Sequence, residues 1–131
     1  SDFILQAGPE FTRQANEQTF LVVQIETPQA VENVDEIAAV EGIDGLFVGP
    51  GDLGLRIREW DTDLTVEAAI QRVADVAAKH QLPWGCPAAT REVLEQRAAQ
   101  GAQLLNYGGD FMAMKNMLEA NADELAEVYG E

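Results

Sequence analysis

Four short apolar runs, the first two rich in β-branched residues, alternate along the chain with stretches of helical period. The runs are Leu21 to Thr27 (LVVQIET), Ile43 to Leu55 (IDGLFVGPGDLGL), Leu82 to Cys86 and Ala102 to Tyr107. Each is bounded by polar or Gly/Pro positions and lacks a clean alternation, as strands buried on both faces of a parallel sheet do. Between the first two, Ala30, Val31, Val34, Ile37 and Ala38 recur at three- and four-residue spacing while Glu32, Asn33, Asp35 and Glu36 are polar. This predicts one amphipathic helix over Pro28 to Val40, with the proline in its first turn.

The remaining elements follow from punctuation. Pro9 to Gln18 predicts a helix leading to a strand at Phe20. Thr65 is placed to cap a helix whose buried face holds Ala68, Ala69, Val73, Val76 and Ala77. Thr90 starts another, closed by Gly101 at a left-handed position. Asp110 is expected to cap a helix from Phe111, and Asn121 to Val128 predicts a last amphipathic turn. Leu53 to Asp63 predicts an irregular, charged connection, and Ser1 to Gly8 carries no clear pattern. The expectation is a single α/β domain over residues 1–131, four β/α units wide. A strand, a helix and a strand within about thirty residues form a right-handed crossover, so consecutive strands lie parallel and adjacent.

Composition narrows the classes. With 131 residues, the chain can bury a core but is about half the length of a complete (β/α)8 barrel. The 47% hydrophobic content excludes disorder, and no apolar stretch approaches the roughly 20 residues of a membrane span. One cysteine excludes an internal disulfide, and no signal peptide is visible, so the expected compartment is the cytoplasm. A net charge of −15 argues against nucleic-acid and anionic-membrane partners, because phosphate binding needs Lys and Arg.

The candidate chemistry lies at the ends of the first two runs. Glu26 and Asp52 fall at or just beyond the carboxyl ends of adjacent parallel strands, the edge where α/β folds bind ligands. Two carboxylates there repel each other unless a cation or a proton lies between them. An oxygen-rich setting suits Mg²⁺, Mn²⁺ or a similar ion that keeps waters and takes further ligands from substrate. Helix capping by Thr27 or Asp52 is the alternative. Gly49, Pro50 and Gly51 favour the site, since they put bare backbone beside Asp52.

Other candidates have plainer roles. Arg56 and Arg58 either face an anionic substrate tail or pair with surface carboxylates. Trp60 either plugs a barrel end or touches ligand. His80 suits the last turn of its helix. Cys86 reads as a buried, inert thiol, Gly85 as a point of close approach, and Met112, Met114 and Met117 as core filler or a subunit contact.

The stretch VVQIETPQAVENVDEIAAVEGIDGLFVGPGDL resembles the signature of the HpcH/HpaI aldolases, metal-dependent pyruvate aldolases of the phosphoenolpyruvate/pyruvate-domain (β/α)8 barrels. The likeness continues through the last strand, so nearly the whole chain is covered. It implies the C-terminal half of such a barrel, with Glu26 and Asp52 holding a divalent metal (Mg²⁺, Mn²⁺ or Co²⁺). It also implies Gln24 beside the bound oxo acid, and the Gly49, Pro50, Gly51 and Asp52 loop against its carboxylate. The implied reaction is cleavage of a 4-hydroxy-2-oxo acid to pyruvate and an aldehyde. A looser likeness to citrate-lyase-type CoA-ester lyases and pyruvate kinases makes those the alternatives, beside a non-catalytic half-barrel.

The family's general base, a His paired with an Asp, and its Arg belong to early strands, so no catalytic residue is assignable in this chain. Pro87, Ala88 and Ala89 stand where the family walls its pocket. The expected partners are a small oxo acid or pyruvate and, because a half-barrel leaves two edges open, a complementary half or further copies of the chain.

Overall fold

The computed structural model describes residues 8–130; Ser1 to Ala7, most of the unpatterned N-terminal stretch, lie outside them. In chain order the elements are α1 (Pro9–Gln18), β1 (Val22–Ile25), α2 (Pro28–Glu32), α3 (Val34–Ala38), β2 (Gly45–Val48) and α4 (Pro50–Glu59). Then come α5 (Val66–His80), β3 (Trp84–Ala88), α6 (Arg91–Ala99), β4 (Leu104–Tyr107) and α7 (Asp110–Tyr129). The four strands form one parallel sheet in the order β1-β2-β3-β4. The outer edges of β1 and β4 have no strand beside them among the described residues.

Register sorts the strand residues into two faces. Ile25, Leu46, Val48, Trp84 and Cys86 point one way and join Val31, Val34, Leu53, Ala69, Ile70, Val73 and Ala77 in the core between sheet and helices. Gln24, Phe47, Pro87 and Asn106 point the other way, and Gln24, Pro87 and Asn106 are exposed. The chain thus has one packed face and one open face.

The caps at Thr65 and Thr90 hold: their hydroxyls accept from the Ala68 and Val93 amides at 3.1 and 3.3 Å. Gly101 sits at φ +84, in the left-handed region. At Gly85 the β4 backbone crowds against β3: a Cβ built there would lie 1.7 Å from the Leu104 carbonyl oxygen. On α5 the buried face includes Ile70 and Ala74, which the periodicity did not single out, while Ala68 is exposed.

Several expectations are corrected. The helix predicted over Pro28 to Val40 breaks at Asn33 (φ −93, ψ 11), because Arg72 from α5 takes the Val31 and Glu32 carbonyls at 2.9 and 3.0 Å. The connection predicted as irregular after Asp52 is helical to Glu59, nucleated by Pro50 in the first turn and anchored by the fully buried Leu53. Asp110 lies one residue inside its helix, with Gly109 at the cap position; its carboxylate accepts from the Phe111 amide at 2.7 Å. The predicted last turn is the end of the continuous α7. Met112, Met114 and Met117 are at least half exposed, so they fill no core of this chain.

Cys86 is buried, and desolvation pushes its thiol up against the pull of the nearby Arg97 guanidinium. A thiol-specific disulfide reagent at neutral pH should therefore leave the folded protein unlabelled and modify one site on unfolding. Rapid labelling of the folded protein would place Cys86 at the surface. Arg97 is itself a buried cation that the sequence did not flag. It spans α6 to α5, donating to Glu67 at 2.5 Å and Gln100 at 2.9 Å.

Candidate active site

β1 and β2 run in register from Val22↔Gly45 to Ile25↔Val48, so the next residues, Glu26 and Gly49, leave the sheet side by side at its carboxyl edge. The Gly49 amide donates back to the Ile25 carbonyl at 3.1 Å and closes the two strand ends together. Gly49 then serves as the N-cap of α4, and Asp52 falls in that helix's first turn. There a carboxylate gains from the helix dipole. The spacing predicted from sequence therefore brings Gln24, Glu26, Gly49 and the first turn of α4 to one corner.

Gln24 and Glu26 point to the same side of β1, and the Gln24 amide nitrogen donates to Glu26 Oε2 at 2.9 Å. Gly49 fits against both. A Cβ there would lie 2.5 Å from Gln24 Nε2 and 3.2 Å from Glu26 Cβ. The loop offers fewer amides than the sequence promised: Gly49 spends its N–H on Ile25, and Pro50 has none. The amides of Gly51 and Asp52, which make no backbone bond among the described residues, are the ones left to meet an anion.

Neither carboxylate has a cation beside it. The Glu26 carboxylate hydrogen-bonds the Gln24 amide, and the exposed Asp52 carboxylate has no hydrogen-bond or ion-pair partner among the described residues. No group of three His, Cys, Asp or Glu side chains able to hold an ion occurs among them either. Two carboxylates and an amide oxygen are an incomplete, all-oxygen donor set. That fits a hard divalent ion, which keeps waters and accepts ligands from substrate, and not a closed structural site.

Gly49→Ala should displace the Gln24 amide, the free end of a flexible side chain, and so disturb the corner more than the fold. The expected result is a melting temperature within a few degrees of the parent but weaker divalent-ion binding by calorimetry. Unchanged ion affinity would separate Gly49 and Gln24 from the site.

Along the same edge, Pro87, Ala88 and Ala89 line a cleft of about 430 Å³ with Asn106, Tyr107 and Met112, at the ends of β3 and β4. His80 lies elsewhere, at the last turn of α5 before β3 begins. Its Nε2 is 2.7 Å from Asp35 Oδ1, and Lys79 meets the same carboxylate at 2.7 Å. Hydrogen bonds from Lys79 and then His80 hold the Asp35 carboxyl below its usual range. This cluster ties α3 to α5 away from the strand ends that carry Glu26.

The sequence model described as HpcH/HpaI aldolase/citrate lyase matches residues 3–116. The chain belongs to this family. A 5-keto-4-deoxy-D-glucarate aldolase from Shigella dysenteriae is 34% identical over 116 residues, 87% of this chain and 45% of the relative. The HpcH/HpaI aldolase structure from Desulfitobacterium hafniense matches 97% of the chain and 52% of its own, with TM-score 0.79 and 25% identity. The citrate synthase SbnG matches all of this chain and 53% of its own, with TM-score 0.79 and 26% identity.

The chain thus spans about half the length of the relatives it matches, and its four-stranded sheet is part of the HpcH/HpaI barrel. The family's description joins aldolases and citrate lyases, and the relatives matched here are named as an aldolase and a citrate synthase. No helix among the described residues is long and apolar enough to cross a membrane.

Proposed function

We propose that this chain is the metal- and oxo-acid-binding half, C-terminal in its barrel, of an aldolase that cleaves a 4-hydroxy-2-oxo acid to pyruvate and an aldehyde. The observation that carries the reading is the corner itself. Glu26 and Asp52 stand at neighbouring strand ends without a cation, beside Gln24 and two unspent backbone amides.

A divalent ion (Mg²⁺, Mn²⁺ or Co²⁺), held by Glu26 and Asp52, supplies Lewis-acid polarisation of the substrate's keto oxygen when bound. Gln24 orients the oxo acid, and the Gly51 and Asp52 amides receive its carboxylate. The bond between C3 and C4 breaks as the 4-hydroxyl loses its proton and C3 keeps the electron pair. No side chain of this corner is free to take that proton: Gln24 is an amide, and Glu26 and Asp52 would be committed to the ion. Full turnover therefore requires residues from a complementary barrel half.

The test is calorimetric titration of the metal-free protein with Mn²⁺, with and without pyruvate. Binding of the ion, tightened by pyruvate or oxalate, is the expected result; no interaction with either would remove the corner from the chemistry. The likeness to SbnG, a citrate synthase, supports a second reading, a related enolate enzyme such as a CoA-ester lyase. Cleavage of an acyl-CoA but not of a hydroxy-oxo acid would select it.

A further inference from the structure

A carboxylate can meet a cation through one oxygen or through both, and the difference bears on which ion it holds. Ca²⁺ gathers about six to eight oxygen ligands and readily takes a carboxylate through both oxygens, whereas Mg²⁺ and ions of similar size keep a compact octahedral shell. At the corner where β1 and β2 end, the two oxygens of Glu26 are not equivalent. Oε2 accepts a hydrogen bond from the Gln24 amide nitrogen at 2.9 Å, while Oε1 has no hydrogen-bond or ion-pair partner among the described residues.

The amide that makes this difference is held from a second side. It abuts Gly49, which leaves β2 beside Glu26: a Cβ at Gly49 would lie 2.5 Å from Gln24 Nε2 and 3.4 Å from Gln24 Cδ. The reverse orientation of the amide would set its carbonyl oxygen on the carboxylate, acceptor against acceptor, so the nitrogen faces Glu26. Seated between the Glu26 carboxylate and the main chain at Gly49, Gln24 restricts how that carboxylate can turn.

We propose that Gln24 is a positioning residue that sets ion selectivity: by occupying Oε2 it presents Glu26 to the ion through Oε1 alone, which suits a small octahedral ion and disfavours Ca²⁺. The inference rests on the metal-site part of the aldolase reading and gives Gln24 a role that precedes the oxo acid. Its second N–H and its carbonyl oxygen stay open to substrate, so one side chain serves both ends. An ion bound through one oxygen keeps the hydrogen bond from Gln24. Ca²⁺ bound through both would have to displace it.

The test titrates the metal-free protein by calorimetry with Mn²⁺ and with Ca²⁺, without any oxo acid. The parent should prefer Mn²⁺ by about tenfold or more. Gln24→Met keeps the length of the side chain and removes its donor. It should weaken Mn²⁺ binding by about tenfold, the low end of what an outer-shell partner contributes, and leave Ca²⁺ within about threefold, so that the preference collapses. Gly49→Ala displaces the amide without altering it and should lower the same ratio. A parent without preference, a ratio that Gln24→Met leaves unchanged, or equal losses for both ions would each overturn the role of Gln24, while Mn²⁺ binding by the parent would still uphold the ion site. A Gln24→Met protein that binds both ions as the parent does, and differs only in its response to pyruvate, would also overturn it, since Gln24 would then serve the oxo acid alone. Failure of the parent to bind Mn²⁺ would overturn the ion site itself and this inference with it.

Discussion

Asp52→Asn will weaken divalent-ion binding by at least about a hundredfold, the upper end of what loss of even an outer-shell partner costs a metal site. The substitution keeps the shape of the side chain and removes one of the two charges at the corner, leaving Glu26 as its remaining carboxylate. The fold should barely respond. Asp52 is exposed, and its favourable interaction with the first turn of α4 is worth about 0.3–1 kcal/mol. Calorimetry with Mn²⁺ reads the first effect and thermal unfolding without metal reads the second. A variant that unfolds much earlier would mark Asp52 as structural. One that binds Mn²⁺ as the parent does would take it out of the site.

Gly85→Ala will act in the opposite way, on the sheet and not on the ion. The added methyl would collide with the Leu104 carbonyl oxygen, a backbone atom locked in the β3–β4 ladder, so no side-chain rotation relieves it. Overpacking ordinarily costs about 1–3 kcal/mol, and the need to move main chain puts this site at or above about 3 kcal/mol. The melting temperature should fall by roughly 10 °C. Hydrogen exchange should accelerate first at Leu104 to Tyr107, the strand that must move away. Retention of the parent's stability would mean that β4 approaches β3 less closely than described.

The order of strands and helices was legible because buried parallel strands leave short β-branched runs and the helices between them keep a 3.6-residue period. The corner was legible for the same reason: once β1 and β2 are adjacent, Glu26 and Gly49 must leave the sheet together. What escaped depends on partners distant in sequence. The break at Asn33 is made by Arg72, some forty residues away. The helix after Asp52 was hidden by Gly51 and Gly54, which argue for a loop, whereas burial of Leu53 decides for a helix. That Arg97 is buried could not be read from a list of charges, since it depends on which side chains the fold brings near. The same holds for the amide of Gly49, which looked available in the sequence and is committed to Ile25 in space.

Glu26 directly follows β1, the outermost strand of the sheet, which has β2 along one edge and, among the described residues, no strand along the other. Whatever lies against that edge steadies one ligand of the ion without touching the ion. Mass action then couples the two events: occupancy of the edge and affinity for the ion must each raise the other by the same factor. Dilution should loosen the ion whenever the neighbour is a separate chain, and tethering the neighbour should make ion affinity independent of protein concentration. A binding isotherm repeated across a dilution series would thus report on the architecture of the assembly through its chemistry.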